Sequence, residues 1–207
     1  MIKAILFDMD GVLIDAEDWH YEALNKALSL FGMQISRLDH IANFDGLPTL
    51  KKLEFLSLER GLPIQLHTFI NEMKQKYTME IVHTRCKPFF PHQYALSNLK
   101  ALGYKMAICS NSVRNSVLTM IERAELTEYL ELMISNEDVV NSKPNPEMYI
   151  KAMAHFNLSP LECLIIEDNE NGIKAAKAAG GYLLVVKDVS EVTLNNILNR
   201  IAEIDVK

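Results

Sequence analysis

The sequence predicts an α/β fold: a doubly wound, Rossmann-like parallel sheet carrying an inserted α-helical domain. Three observations predict it. Short apolar runs alternate with helical patterns over most of the chain, polar residues directly follow the apolar runs, and one long stretch near the N-terminus breaks the alternation. The 207 residues, 49% of them hydrophobic, suffice for one well-formed core and a second small one, since domains usually run about 100 to 150 residues.

Taken in order, the first element is Ile2 to Phe7, an apolar run of the kind that forms a strand buried on both faces. From Asp18 to Arg85 there are several helical patterns and no convincing strand. That is far longer than the usual βα loop of about 2 to 6 residues, so the stretch reads as a helical insertion. Lys87-Pro88-Phe89-Phe90-Pro91, with its two prolines, suits a stiff extended connector back to the sheet. There follow a helix over Gln93 to Leu102, a strand over Lys105 to Cys109 and a helix over Val113 to Ala124. A helix over Glu147 to Phe156, a strand over Cys163 to Ile166, a helix over Gly172 to Ala179 and a strand over Tyr182 to Val186 complete the pattern. The expected division is a core domain of residues 1–15 and 88–207 and a helical insertion of 16–87, which the family resemblance given below makes a cap domain.

Composition excludes several classes. A charged fraction of 23% and a net charge of -6 give no electrostatic support to a nucleic-acid or anionic-membrane partner. Three widely spaced cysteines, Cys86, Cys109 and Cys163, with no CxxC pair, indicate neither a disulfide framework nor a zinc knuckle and suit a reducing cytosol. The N-terminus meets acidic residues too soon for a signal peptide, and no run of about 18 apolar residues would span a membrane. The expectation is a cytoplasmic protein, a monomer or weak oligomer.

In open α/β sheets ligands sit beyond the carboxyl ends of the strands. Asp8 and Asp10 follow the first strand, Ser110 and Asn111 the second, Glu167 and Asp168 a later one, and Lys143 precedes Pro144 in a loop before a helix. Carboxylates crowded on one sheet edge are costly unless a cation sits among them, and oxygen-only ligands of this kind favour magnesium.

The order Asp8-Met9-Asp10-Gly11-Val12 resembles the first motif of the haloacid dehalogenase-like hydrolases, a superfamily of mostly phosphatases. Ser110-Asn111-Ser112 resembles its second motif, Lys143-Pro144 the third, and Glu167-Asp168-Asn169 followed by Asn171-Gly172 the fourth. The resemblance implies that Asp8 is the nucleophile and forms an aspartyl-phosphate, and that Asp10 is the general acid and base. Ser110, Asn111 and Lys143 would hold phosphoryl oxygens, Lys143 also screening Asp8 from the other carboxylates. Asp8, Asp168 and the backbone carbonyl of Asp10 would bind magnesium. Glu167 would either touch the ion or orient a residue that does. Within the family the layout looks like the β-phosphoglucomutase-like subgroup, whose helical cap chooses the substrate. Leu13 to Glu17 and Cys86 to Pro91 would then be hinges, and His20, Gly46, Thr49 and Arg114 candidate substrate contacts. Sugar phosphates head the expected substrates.

Other readings stand beside this one. A mutase would grip a second phosphate with basic residues around Phe44-Asp45-Gly46-Leu47-Pro48-Thr49, where this chain has Asp45 and Thr49, with Lys51 and Lys52 beyond. A non-catalytic relative would have lost the nucleophile, the acid or the metal carboxylate, and a dehalogenase would lack Asp10. Residue by residue, Asp8 and Asp10 can be turn-forming acids, Lys143 a solvated loop lysine, and Ser110 and Asp168 helix N-caps. His20 can be a half-exposed helix histidine, and Cys109 a small buried hydrophobe.

Overall fold

The structure is a computed structural model that describes residues 1–44 and 46–206; Asp45, part of the loop singled out above, lies outside the described residues. Two compact units form, one from Met1–Asp15 with Lys87–Lys207 and one from Ala16–Cys86.

The first unit is built on five parallel strands: β1 (Ala4–Phe7), β2 (Lys105–Cys109), β3 (Leu132–Ile134), β4 (Cys163–Glu167) and β5 (Tyr182–Val185), in the order β3-β2-β1-β4-β5. Phe7 pairs with Ile108 on one side and Ile166 on the other. The three central strands therefore end together, which sets Asp8, Ser110 and Glu167 along one edge. Such strands are covered on both faces and carry almost no polar residue. Numbered over the whole chain, the helices of this unit are α5 (Phe90–Ala101), α6 (Arg114–Arg123), α7 (Glu147–Phe156), α8 (Glu170–Ala179) and α9 (Leu194–Asp205). Helices α7 and α8 cover the face that presents Ala4, Leu6, Ala107, Cys109 and Ile165, with Tyr149, Ala152 and Ala176 buried among them.

The chain differs from the sequence expectation at a few edges. β1 starts at Ala4 rather than Ile2, and β4 runs on through Glu167. The edge strand β3 and the terminal helix α9 are elements the sequence reading leaves unassigned. In α9, Ile197, Ile201 and Ile204 are buried on one stripe between exposed polar residues.

The second unit holds α1 (Glu17–Ser29), a three-residue turn α2 (Arg37–Asp39), α3 (Thr49–Arg60) and α4 (His67–Arg85). A wider five-residue turn, His40–Phe44, follows α2. Helices α1 and α4 pack along each other, and Leu24, Leu28, Phe44, Leu53, Leu56 and Ile70 form the apolar centre. There is no strand among its described residues, as the insertion was expected to be helical.

Candidate active site

The loop after β1 is wound tightly around one carbonyl. The Met9 oxygen accepts from the amides of Val12, Leu13 and Ile14, while Gly11 donates to Ile14 at 2.7 Å. Met9 itself is fully buried, so Asp8 and Asp10, two residues apart, leave the core on the same side. Gly11 has φ +84, and a Cβ there would lie 1.9 Å from Oδ2 of Asp168. Only glycine permits both that conformation and that approach.

Lys143 stands at the centre. Its Nζ, 3% exposed as a residue, donates to Asp8 Oδ1 at 2.8 Å and to Glu167 Oε1 at 2.7 Å. The Lys143–Pro144 peptide bond is cis. The lysine backbone is held from the second motif: Asn111 Oδ1 accepts from the Lys143 amide at 3.0 Å and Asn111 Nδ2 donates to the Lys143 carbonyl at 3.2 Å. Tyr149, on the helix that follows, donates its hydroxyl to the same Glu167 Oε1 and sets its ring under Nζ, 5.0 Å from the centroid. Burial raises the Tyr149 pKa well above normal, and the Glu167 and Asp8 charges raise it further, so this hydroxyl stays a donor.

Ligand oxygens of Asp8, Glu167 and Asp168 lie within 4.8 Å of one another. Three carboxylates against one ammonium leave two negative charges, the amount that a divalent cation cancels. Burial first, and then the Glu167 carboxylate, push the Asp8 carboxyl well above the usual range, with Lys143 pulling the other way. Burial works against the Lys143 charge, but Asp8 and Glu167 overcome it and hold the ammonium ionised. An ionised Asp8 therefore calls for more positive charge than Lys143 alone supplies. Glu167 Oε2 points the same way, since it is buried with no hydrogen-bond partner among the described residues; such an atom is costly unless a cation or water meets it. The all-oxygen donor set fits a hard divalent ion.

Ser110 is buried at the end of β2, and its Oγ accepts from the Ser112 amide at 3.0 Å. It does not cap α6, which begins at Arg114. Asp168 does not cap α8 either: Asn169 does, accepting from the Gly172 amide at 3.0 Å. Asp168 is left facing Gly11 and the other two carboxylates. Asp10 Oδ2 accepts from Ser112 Oγ at 2.7 Å. Cys109 is buried with its thiol pushed far up by desolvation, which suits a small hydrophobe and not a nucleophile. Arg114 pairs with Asp138 on the surface. In the helical unit, His20 Nδ1 lies 3.0 Å from Lys74 Nζ, Gly46 follows the wide turn, and Thr49 begins α3.

Three residues in this arrangement had no assigned role in the sequence. Tyr149 gave only the signal of an aromatic on an apolar helix face, which packing explains equally well. Ser112 lay inside the second motif without a task. Gly172 lies so close to Glu167 that a Cβ would be 2.0 Å from its carboxylate atoms.

The chain is similar to known proteins over most of its length. The family model described as haloacid dehalogenase-like hydrolase matches residues 5–186. A phosphorylated carbohydrates phosphatase of Thermotoga maritima is 28% identical over 184 residues, covering 86% of this chain and 82% of its own. A phosphoglycolate phosphatase of Aquifex aeolicus is 28% identical over 204 residues, covering 94% and 92%. The crystal structure of β-phosphoglucomutase from Clostridium difficile matches with a TM-score of 0.85 over 100% of both chains at 22% identity, a likeness of fold.

Proposed function

The chain belongs to the haloacid dehalogenase-like hydrolases, and from that premise we propose that it is a magnesium-dependent phosphatase of small phosphorylated metabolites, sugar phosphates first, working through a phosphoryl group carried on Asp8. The observation that carries the proposal is the buried ammonium of Lys143 bridging Asp8 and Glu167 with Asp168 alongside.

Asp8, with Oδ1 held by Lys143, presents its other oxygen to phosphorus. The Asp8 O–P bond forms as the ester P–O bond breaks, and the leaving oxygen takes its proton from Asp10. In the second half Asp10 takes a proton from the water that attacks the aspartyl-phosphate, releasing inorganic phosphate and restoring Asp8. Because Ser110 Oγ accepts from a backbone amide, its own O–H is available to donate to a phosphoryl oxygen. Asn111 contributes by holding the Lys143 backbone. Asp8, Asp168, Glu167 and the Asp10 carbonyl would hold magnesium, which when bound supplies positive charge to the transferring phosphoryl group. General acid and base help is worth roughly 10²–10⁴-fold, against accelerations of up to about 10²¹ for phosphate monoesters, so charge stabilisation and in-line positioning must carry most of the rate. The helical unit is assigned the role of cap from its place in the chain order.

The test is phosphate release from p-nitrophenyl phosphate and a panel of sugar and nucleoside monophosphates, with magnesium and with EDTA. Magnesium-dependent release from sugar phosphates, abolished in Asp8→Asn, is the expected result. Turnover of nucleotides alone would defeat the substrate class. A requirement for a sugar bisphosphate primer, without net hydrolysis, would replace phosphatase by mutase.

A further inference from the structure

Asp10 has to aim one carboxyl oxygen at the leaving group, and the loop that carries it holds its backbone. The Met9 carbonyl gathers the amides of residues 12–14, and Asp10 and Ile14 are bridged backbone to backbone. Both are backbone contacts. Ser112 reaches the side chain: its Oγ donates to Asp10 Oδ2 at 2.7 Å across 102 residues of sequence. Ser112 is itself anchored at both ends of its backbone. Its amide donates to Ser110 Oγ at 3.0 Å, and its carbonyl accepts from the Asn136 amide at 3.1 Å. The hydroxyl therefore hangs from the exits of β2 and β3, two rigid strands, and reaches across to the exit of β1.

We propose that Ser112 is the positioning residue of the general acid: by engaging Oδ2 it fixes the plane of the Asp10 carboxyl and aims Oδ1 at the leaving oxygen. The inference rests on the phosphatase reading above and on Asp10 as the proton donor. In the first half-reaction the P–O bond to the leaving group breaks, its electron pair stays on the leaving oxygen, and the proton passes to that oxygen from Asp10 Oδ1. A misdirected carboxyl loses this transfer while leaving Asp8, Lys143 and Ser110 in place. The loss is felt most by esters whose leaving oxygen is strongly basic and needs the proton before it can depart.

Two aryl esters of nearly the same shape test this. p-Nitrophenyl phosphate leaves as a weakly basic phenolate, phenyl phosphate as a strongly basic one. The readout is kcat/KM, which reports transfer to Asp8, measured for wild type, Ser112→Ala, Ser112→Thr and Asp10→Asn with magnesium. Ser112→Ala is expected to raise the preference for the p-nitrophenyl ester about tenfold or more over wild type, in the same direction as Asp10→Asn, since general acid help spans roughly 10²–10⁴-fold. Ser112→Thr, which keeps the hydroxyl, is expected to restore the wild-type preference. An equal loss for both esters in Ser112→Ala would show a phosphate-gripping or purely structural serine and overturn the inference. Asp10→Asn with an unchanged preference would remove Asp10 as the acid, and the inference with it. Wild type inert toward both esters would overturn the phosphatase reading itself.

Discussion

Gly172→Ala puts a methyl group where Glu167 already is. Gly172 is the third residue of α8 and its backbone is not left-handed, so helix propensity alone predicts a gain of up to about 1 kcal/mol for alanine. The site predicts the reverse. The added Cβ would sit 2.0 Å from Cδ, Oε1 and Oε2 of Glu167, and Glu167 is fully buried with Oε1 accepting from both Lys143 and Tyr149. Moving the carboxylate aside gives up those two bonds. Each hydrogen bond to a charged group contributes about 1.5–3 kcal/mol, so the loss is about 3–6 kcal/mol. Less the propensity gain, the variant should be destabilised by about 2–5 kcal/mol, or about 5 °C or more in melting temperature for a chain of this size. The assay is thermal and urea unfolding of EDTA-treated protein followed by far-ultraviolet circular dichroism. A variant as stable as wild type, or more so, would show that the carboxylate moves at little cost and refute the reasoning.

The other predictions follow from the same contacts. Lys143→Met leaves Asp8 and Glu167 buried without their shared ammonium; it should cost about 3–5 kcal/mol in urea unfolding without divalent ions and lower turnover by at least about 10²–10³-fold. Tyr149→Phe keeps the ring beneath Lys143 and deletes only the hydroxyl on Glu167, so unfolding in urea should register about 1.5–3 kcal/mol, and an unchanged midpoint would remove Tyr149 from the network. His40 is buried, packs on Tyr21, and has neither ring nitrogen hydrogen-bonded among the described residues; burial, aided by Lys52 and Arg37, pushes its pKa from 6.5 down to about 3. The folded form thus refuses a proton that the unfolded chain accepts, so stability is intact above pH 6.5 and falls with pH between 6.5 and about 3, by about 2 kcal/mol at pH 5. His92, also buried and shifted down by desolvation, acts with the same sign in the other unit. Melting curves from pH 8 to 5 on wild type and His40→Phe check this, and identical acid limbs would refute it.

Much of the fold was legible because the central strands are buried on both faces and so read as unbroken apolar runs, each stopping where a functional side chain begins. Lys105 to Cys109 and Glu147 to Phe156 have the bounds that their patterns indicate. β3 was not legible, since Leu132–Ile134 is too short for any period to show. In α9 the stripe of Ile197, Ile201 and Ile204 is diluted by Asn195, Asn196 and Asn199, poor helix formers whose side chains compete for the backbone. The site was legible in its residue types and less so in its wiring. Asp168 and Asn169 are both able to cap a helix, and it is the fold that has Asn169 do so while Asp168 turns toward Gly11. Asn111 holding Lys143, Ser112 holding Asp10 and Tyr149 holding Glu167 join residues 18 to 102 apart in sequence. No local pattern encodes such contacts.

The most direct test of the central claim is to look for the phosphoryl group on Asp8. Protein mixed with p-nitrophenyl phosphate and magnesium would be quenched in acid within a single turnover, digested, and its peptides weighed. The peptide containing Asp8 is expected to gain the mass of one phosphoryl group, the gain is expected to be absent when the quench follows exhaustion of the substrate, and Asp8→Asn is expected to show none. Phosphate release without any such gain in the peptide, or with release persisting in Asp8→Asn, would contradict it.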